Sequence, residues 1–542
     1  MSNIALSDKE FRKRTELLNE RPARIVFKTA LPLLFYSFMK MAFLFFDTLT
    51  VSKIDQSMVS TTLFISDIQS LLEFLFFSMS ISIGIRISRS FGAGDFQSIR
   101  RDLSTIFFTI LFISGILVLI CTVFSRPILS FFSIPEELLG MGSTYFSISI
   151  FSTIFAAVNT LFFASEKARG RTKTVSVCNI MLLVSKLLFN SLVMYLVRSG
   201  TVNVEHAIIL LPLSVCVSQL MITLVALRAL FSKDSDFKVS WKNTSFSREF
   251  FVPFIKLMMP ILLIKSMTPF SKVICNSQYA VFGSVGLAAY VFSNKICSIV
   301  TTPLDALQDA ETTVIAANIG NHRYERVRRT VSDSLWLFLA ISTGLFTIVS
   351  LFSETLMNYF AGNDVELLRS VRTLYLIQRL DFLFMAADSV FTAYLFATKK
   401  TKLKTISSFL QKYAVRIPLL YYLINHYGMG IEAIAWSILI SNISASLFTF
   451  VSYLFITRYY EGKLKANDQA ETRLIDAVRT LGRLDALDSN KAGTPGIIVP
   501  TDIIELMKEN FAVNIETDKL VDEYRFALVE ARIDELEKQE II

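Results

Sequence analysis

The chain has 542 residues, 53% hydrophobic and 13% aromatic, with a formal net charge of +8 and a mean hydropathy of +0.51. A soluble domain averages about 45–50% apolar residues and cannot house so many long apolar runs, so the chain is a polytopic membrane protein rather than a globular enzyme. Cys121, Cys178, Cys216, Cys275 and Cys297 all sit in apolar runs without CxxC or Cys/His spacing, which suggests neither a metal site nor a disulfide framework.

Residues 1–24 form a charged segment (Asp8, Glu10, Arg12, Lys13, Arg14) with no apolar core before Ile25, so a cleavable signal peptide is not expected. Apolar runs then predict about twelve spans near 25–46, 58–85, 103–124, 143–165, 174–197, 205–230, 251–275, 284–314, 331–352, 368–397, 405–425 and 432–457. The loops alternate in charge. One set carries Arg100 with Arg101, Lys167 with Arg171, Lys238 with Lys242, Arg328 with Arg329, and Lys399 with Lys404. The other carries little. Basic short loops stay in the cytoplasm, so both termini are expected there and the protein in the cell membrane. This placement also argues against nucleic acid as the partner of the basic excess.

The expected domains are an N-lobe of six helices over 25–230, a Lys-rich linker over 231–250, a C-lobe of six helices over 251–458 and a charged tail over 459–542. Residues 463–542 hold 11 basic and 17 acidic side chains. Charged, helix-favouring stretches at 468–488 and 501–542 flank Pro495, Gly496 and Pro500, and Thr501 is placed to cap the second. A soluble helical appendage is expected, with docking of a cytosolic partner as the sharper alternative.

The lobes are copies. Phe91 to Arg101, FGAGDFQSIRR, recurs as Ile319 to Arg329, IGNHRYERVRR, with Gly92 on Gly320 at a spacing of 228 residues. Lys28 and Pro32 meet Lys256 and Pro260 in the same register. Phe124, Ser125 and Phe132 meet Phe352, Ser353 and Phe360. One inserted residue later, Asn159 meets Asp388, and Thr172-Lys173 meets Thr401-Lys402. Shared Pro, Gly and Arg-Arg landmarks mark a duplication. An even number of spans per copy gives both one orientation, related by an axis along the membrane normal. The fold class is therefore all-α.

Ala30-Leu31-Pro32, Phe46-Asp47-Thr48 and FGAGD at 91–95 resemble the multidrug and toxic-compound extrusion (MATE) family, as do Leu287-Ala288-Ala289-Tyr290, Lys295-Ile296, Pro303 and Asn318-Ile319-Gly320. The resemblance covers residues 25–458. It implies two six-helix lobes around a central cavity and export coupled to protons or sodium, without a resident cofactor. More distant relatives in the superfamily flip lipid-linked sugars. Asp47 matches the acid of the family's first helix, Asp388 an acid of the tenth and Asn190 an Asn of the fifth. These are the expected cation-coupling residues. The chain departs from the pattern at Met194, one turn after Asn190. It departs again at Thr268, where a seventh-helix acid would fall, and that helix carries Lys265 and Lys272 instead.

Charge inside a bilayer is costly unless it faces a partner or a watered cavity. Lys40, Lys265, Lys272, Lys295 and Asp381 are accordingly expected in the cavity between the lobes, with Tyr290. Lys265 and Lys272 are seven apart and share a helix face, as do Asp381 and Asp388. The two faces are expected to oppose and pair, which by charge matching suits a small anionic or zwitterionic substrate. Asp388, flanked by Ala386, Ala387, Val390 and Phe391, is expected mid-span. Its repeat partner Asn159 cannot titrate, so the second lobe alone would carry the coupling switch. His206, His322 and His426 are scattered and no catalytic constellation is present, so no enzyme is expected. The expected function is a cation-coupled secondary antiporter exporting small organic molecules. The alternative is a flippase for a lipid-linked or anionic envelope precursor.

Overall fold

The computed structural model describes residues 8–52, 56–131, 136–199, 204–232, 237–361 and 364–458, and every regular element among them is helical. Helix α1 (Asp8–Asn19) precedes the N-lobe, which runs through α2 (Pro22–Ser52), α3 (Gln56–Ala93), α4 (Phe96–Val123), α5 (Ser125–Phe131), α6 (Glu136–Ala168), α7 (Thr172–Arg198) and α8 (Val204–Phe231). The C-lobe comprises α9 (Arg248–Tyr279), α10 (Gly283–Gly320), α11 (Tyr324–Ala361), α12 (Val365–Gln378), α13 (Phe382–Ala397), α14 (Thr401–Phe409), α15 (Ile417–Asn425) and α16 (Glu432–Arg458). Among the described residues, ten helical segments are long and apolar enough to cross a membrane. The two other expected spans lie in α2 and in the 401–425 stretch, which is interrupted between α14 and α15. The tail expected over 459–542, with its helices at 468–488 and 501–542, lies outside the described residues.

Local chemistry sets the boundaries. Asp95 caps α4 by accepting from Ser98 N at 3.0 Å, Ser247 caps α9 through Phe250 N at 3.3 Å, and Asp364 caps α12 through Leu367 N at 3.0 Å. The turns between helices repeat across the lobes. Gly94 and His322 occupy the same register and both take positive φ, 81° and 55°. Asp95 N then donates to Ser90 O and Arg323 N to Asn318 O, each at 2.9 Å. Gly170 and Lys399 form a second such pair, with φ of 73° and 60°. The left-handed turn is thus kept where glycine is not.

Each lobe has its own apolar core. The N-lobe buries Ile65, Val118, Phe146 and Ile150 together, and the C-lobe buries Tyr279, Ile296, Leu374 and Ile434. A smaller cluster of Ile85, Leu257, Ile261, Ile264 and Phe396 joins α3 to α9 and α13, and so joins the lobes.

The recurring glycines lie at the same end of the molecule and bring the backbones of the two lobes into contact. A Cβ on Gly92 would overlap the Ala317 carbonyl, and one on Gly320 the Arg89 carbonyl. Ala317 and Arg89 are themselves register partners, so α3 and α10 cross about a pseudo-two-fold axis that only glycine permits. Around the crossing, Arg14 of α1 donates to Phe91 O at 3.0 Å and Gly92 O at 2.9 Å, satisfying carbonyls at the end of α3. Arg323 reaches Leu18 O at 2.9 Å and Asn19 Oδ1 at 2.7 Å, and Arg326 reaches Glu20 O. Buried Glu10 pairs with Arg169 at 3.0 Å and Arg171 at 2.6 Å. The segment expected to be a charged N-terminal extension is therefore a helix clamped to both lobes.

Helix α10 is 38 residues, roughly 57 Å long, and overruns a bilayer core of about 30 Å. Its charges at the glycine end are consistent with that length. Asp309 pairs with Lys167 of α6 at 2.7 Å, a second clasp between the lobes.

Candidate transport site

The polar residues of the C-lobe are gathered by an irregular helix. Between α14 and α15 the backbone makes a π-turn, Leu410–Arg416, with Pro418 two residues beyond it. Proline lacks an N–H and its ring crowds the carbonyl four residues back, here Ala414, so widening the turn relieves both problems. The wide turn presents four polar side chains. Gln411 Nε2 donates to Asn442 Oδ1 at 2.6 Å, and Arg416 donates to Ser441 Oγ at 3.0 Å and to Asn442 Oδ1 at 2.8 Å. Lys412 Nζ donates to Thr268 Oγ1 of α9 at 2.6 Å, and Tyr413 OH to Met267 O at 3.2 Å.

Asn442 passes this network on by donating its amide to Asp381 Oδ2. Asp381 ends a 3₁₀ turn, Arg379–Asp381, inserted between α12 and α13. It sits at the midpoint of the 365–397 span, where such a turn commonly marks a hinge. A cavity of about 30 Å³ adjoins it, lined also by Gln378, Thr301 and Tyr375, with room for a water-sized guest. Asp381 Oδ1 and Gln378 Nε2 have no hydrogen-bond partner among the described residues, and a guest in that cavity would satisfy them.

Asp388 lies seven residues further on, roughly 10 Å along the helix and towards its glycine end rather than at mid-span. Lys404 Nζ donates to its Oδ2 at 2.7 Å, and Thr449 Oγ1 to its Oδ1 at 2.9 Å. The side chains are only 9% and 16% exposed, so the ion pair is largely withdrawn from solvent.

The N-lobe repeats this framework without the charges. Ser176 Oγ donates to Pro32 O at 2.6 Å, as Thr405 Oγ1 does to Pro260 O at 3.1 Å. Thr223 Oγ1 donates to Asn159 Oδ1 at 3.0 Å, matching Thr449 on Asp388, and Asn159 donates to Gln219 Oε1 at 2.8 Å. Val175 stands where Lys404 would fall. The ion pair is peculiar to the second lobe.

Asn190 accepts from Ser214 Oγ at 2.8 Å inside the N-lobe, away from the Asp388 contacts. Asp47 lies on α2 near its end at Ser52, and its side chain lies outside the described residues. Tyr290 packs on Tyr279, ring centroids 4.6 Å apart, within the C-lobe core. Lys265 stands 5.1 Å over the Phe77 ring of α3, at the boundary between lobes. Asp305 is exposed within electrostatic reach of Lys265 and Lys40. Lys40, Lys272 and Lys295 are exposed.

The expected pairing of the Asp381–Asp388 face with the Lys265–Lys272 face is corrected. Seven-residue spacing fixes which side chains share a face but not which neighbour that face meets. The acids meet α14 and α16. Lys404, read from sequence as one of a run of loop cations, lies inside α14, and neutral Thr449, Ser441 and Asn442 carried no charge signal.

The fold is thus a multi-pass membrane protein of two related helical lobes with ionisable residues held between and within them, the architecture of a transporter. The MatE family model matches residues 32–192 and 260–422, one match per lobe. The chain belongs to that family. It is 21% identical to the probable multidrug resistance protein YoeA of Bacillus subtilis (strain 168) over 367 residues, 66% of this chain and 77% of that protein. Its fold is similar to a MATE protein solved with MaD3S, at 13% identity and TM-score 0.76, covering 83% of this chain and 99% of that one. It is similar also to an outward-facing multidrug resistance MATE family transporter of the MOP superfamily, at 15% identity and TM-score 0.74, covering 83% and 98%. A third likeness is to a MOP superfamily transporter of Pyrococcus furiosus, at 14% identity and TM-score 0.73, covering 82% and 98%.

Proposed function

We propose that the protein is a cation-coupled secondary antiporter that exports small organic molecules by alternating access, in the cell membrane with both termini in the cytoplasm. Its Bacillus relative is named a probable multidrug resistance protein, and the family supplies the frame for export. The observation that carries the coupling is the Asp388–Lys404 pair, present in one lobe and absent from its copy. Protonation of Asp388, or a sodium ion at its oxygens, would cancel its hold on Lys404 and free α13 from α14. A group whose ion affinity differs between inward-open and outward-open states couples the ion to transport by linkage. Asp47 and Asn190 are second candidates by family position. The transported proton or sodium ion would be the only cofactor.

Alternating access requires the glycine end to open. It is held by the Gly92–Gly320 crossing, the α1 clamp and Lys167–Asp309, contacts that are separable and small. The test is uptake into proteoliposomes of a substrate panel, one organic cation and one organic anion at least, with proton and sodium gradients imposed separately. Accumulation that collapses when one gradient is dissipated supports the reading, and accumulation indifferent to both overturns it.

A further inference from the structure

Lys265 and Thr268 lie one turn apart on α9 and so share a face. The ammonium of Lys412, carried in from the π-turn, donates to Thr268 Oγ1 at 2.6 Å. Lys265 lies within electrostatic reach of Lys412, so two cations from two helices gather beside one hydroxyl. Lys265 lies over the Phe77 ring of the opposite lobe, so this face opens onto the space between lobes.

The charges here do not balance. Among the described residues neither Lys265 nor Lys412 forms an ion pair within 4 Å, and Lys412 has only a neutral partner. Asp388 is paired with Lys404 and reaches Lys412 only from further off, and Asp381, hydrogen-bonded to neutral Asn442, offsets Arg416. Asp305 acts on Lys265 from further off and is shared with Lys40. Lys404 and Arg416 add like charge around Lys412. Cations gathered in a confined, weakly screened space repel, and an anion between them reverses the sign of the interaction. The donors are also fixed in advance, because Gln411 and Arg416 lock the π-turn onto Asn442 and Ser441.

We propose that Lys265, Thr268 and Lys412 form the seat for the phosphate head of an amphiphilic anion whose apolar body lies against Phe77. This deepens the export reading by naming the substrate class at the same cavity. A phosphate monoester offers enough acceptors for two ammoniums and a hydroxyl at once. The same head occurs on a lipid or on a soluble aryl phosphate.

The test is equilibrium binding of 1-naphthyl phosphate to the purified full-length protein, with 1-naphthylmethylamine as the cation of matched shape. The phosphate should bind saturably and weaken with salt. Lys265→Gln and Lys412→Gln should each weaken it about 10- to 100-fold, since a hydrogen bond to a charged group is lost, while Lys412→Arg retains most of it. Thr268→Val keeps both charges and should give a smaller loss. It provides the reading should a lysine variant fail to fold, and unchanged affinity in it would count against the seat. Nanodiscs with and without phosphatidic acid separate the sources: displacement of the naphthyl compound assigns the head to a lipid, and no displacement assigns it to a soluble anion. Equal affinity in the parent and both lysine variants, or tighter binding of the amine than of the phosphate, would overturn the proposal. No ion gradient enters this measurement. Coupling can therefore fail while the seat stands.

Discussion

Lys404 and Asp388 sit on adjacent helices, nitrogen to oxygen at 2.7 Å, where the matching positions of the first lobe hold Val175 and Asn159. A duplication that keeps Pro32 with Pro260, Gly92 with Gly320 and the matching hydroxyl contacts is unequal at this pair. Removing one partner of a largely buried pair leaves an uncompensated charge, while removing both does not. Lys404→Gln should therefore lower stability by about 3 kcal/mol, and adding Asp388→Asn should recover most of it. Thermal unfolding of the detergent-solubilised protein measures this. Additive losses would show that the contact contributes little.

The first lobe supplies the converse. Asn159→Asp places a carboxylate opposite Val175, with Gln219 and Thr223 as its only polar contacts among the described residues. Folded yield should fall, and Val175→Lys should restore part of it. Yield unaffected by Asn159→Asp would show that the N-lobe position is better hydrated than its contacts imply.

Gly92→Ala puts a methyl into the Ala317 carbonyl, and the neighbour is backbone that cannot swing aside. Overpacking of this kind costs about 1–3 kcal/mol, and here it falls only on states closed at the glycine end. Spin-label distances between the ends of α3 and α10 should lengthen in a larger fraction of molecules. A distance distribution like the parent's would mean that the crossing does not hold that end shut.

Clamping of α1 is tested by Arg14→Ala. The side chain makes two of the hydrogen bonds that tie the helix to Phe91 and Gly92. Amide exchange should speed in residues 8–19 and at the end of α3, with the cores of α6 and α10 unchanged. Equal protection throughout would show that Glu10 and its arginines suffice.

Much of the architecture was legible in the sequence because duplication writes each landmark twice. Pro32 with Pro260 and Gly92 with Gly320 gave register and orientation, and apolar length gave the spans. The site was less legible. Asp381 and Asp388 stood out as charges in apolar runs, but their partners did not: Lys404 was hidden in a basic loop run, and Asn442 and Thr449 are neutral. Nothing short of the packed structure shows a π-turn aiming Lys412 at Thr268. Residues 1–24 read as a charged segment, and only tertiary contacts reveal Glu10 buried between two arginines.

The central claim is that Asp388 couples an ion to transport, and the most direct measurement compares two modes in one proteoliposome preparation. Parent and Asp388→Asn are loaded with 1-naphthyl phosphate or with ethidium, then assayed for counterflow exchange without a gradient and for accumulation under an imposed proton or sodium gradient. Exchange needs only a working cavity, whereas accumulation needs the switch. The account predicts that Asp388→Asn keeps exchange and loses accumulation. An Asp388→Asn protein that accumulates substrate as the parent does, with the same pH dependence, would contradict it.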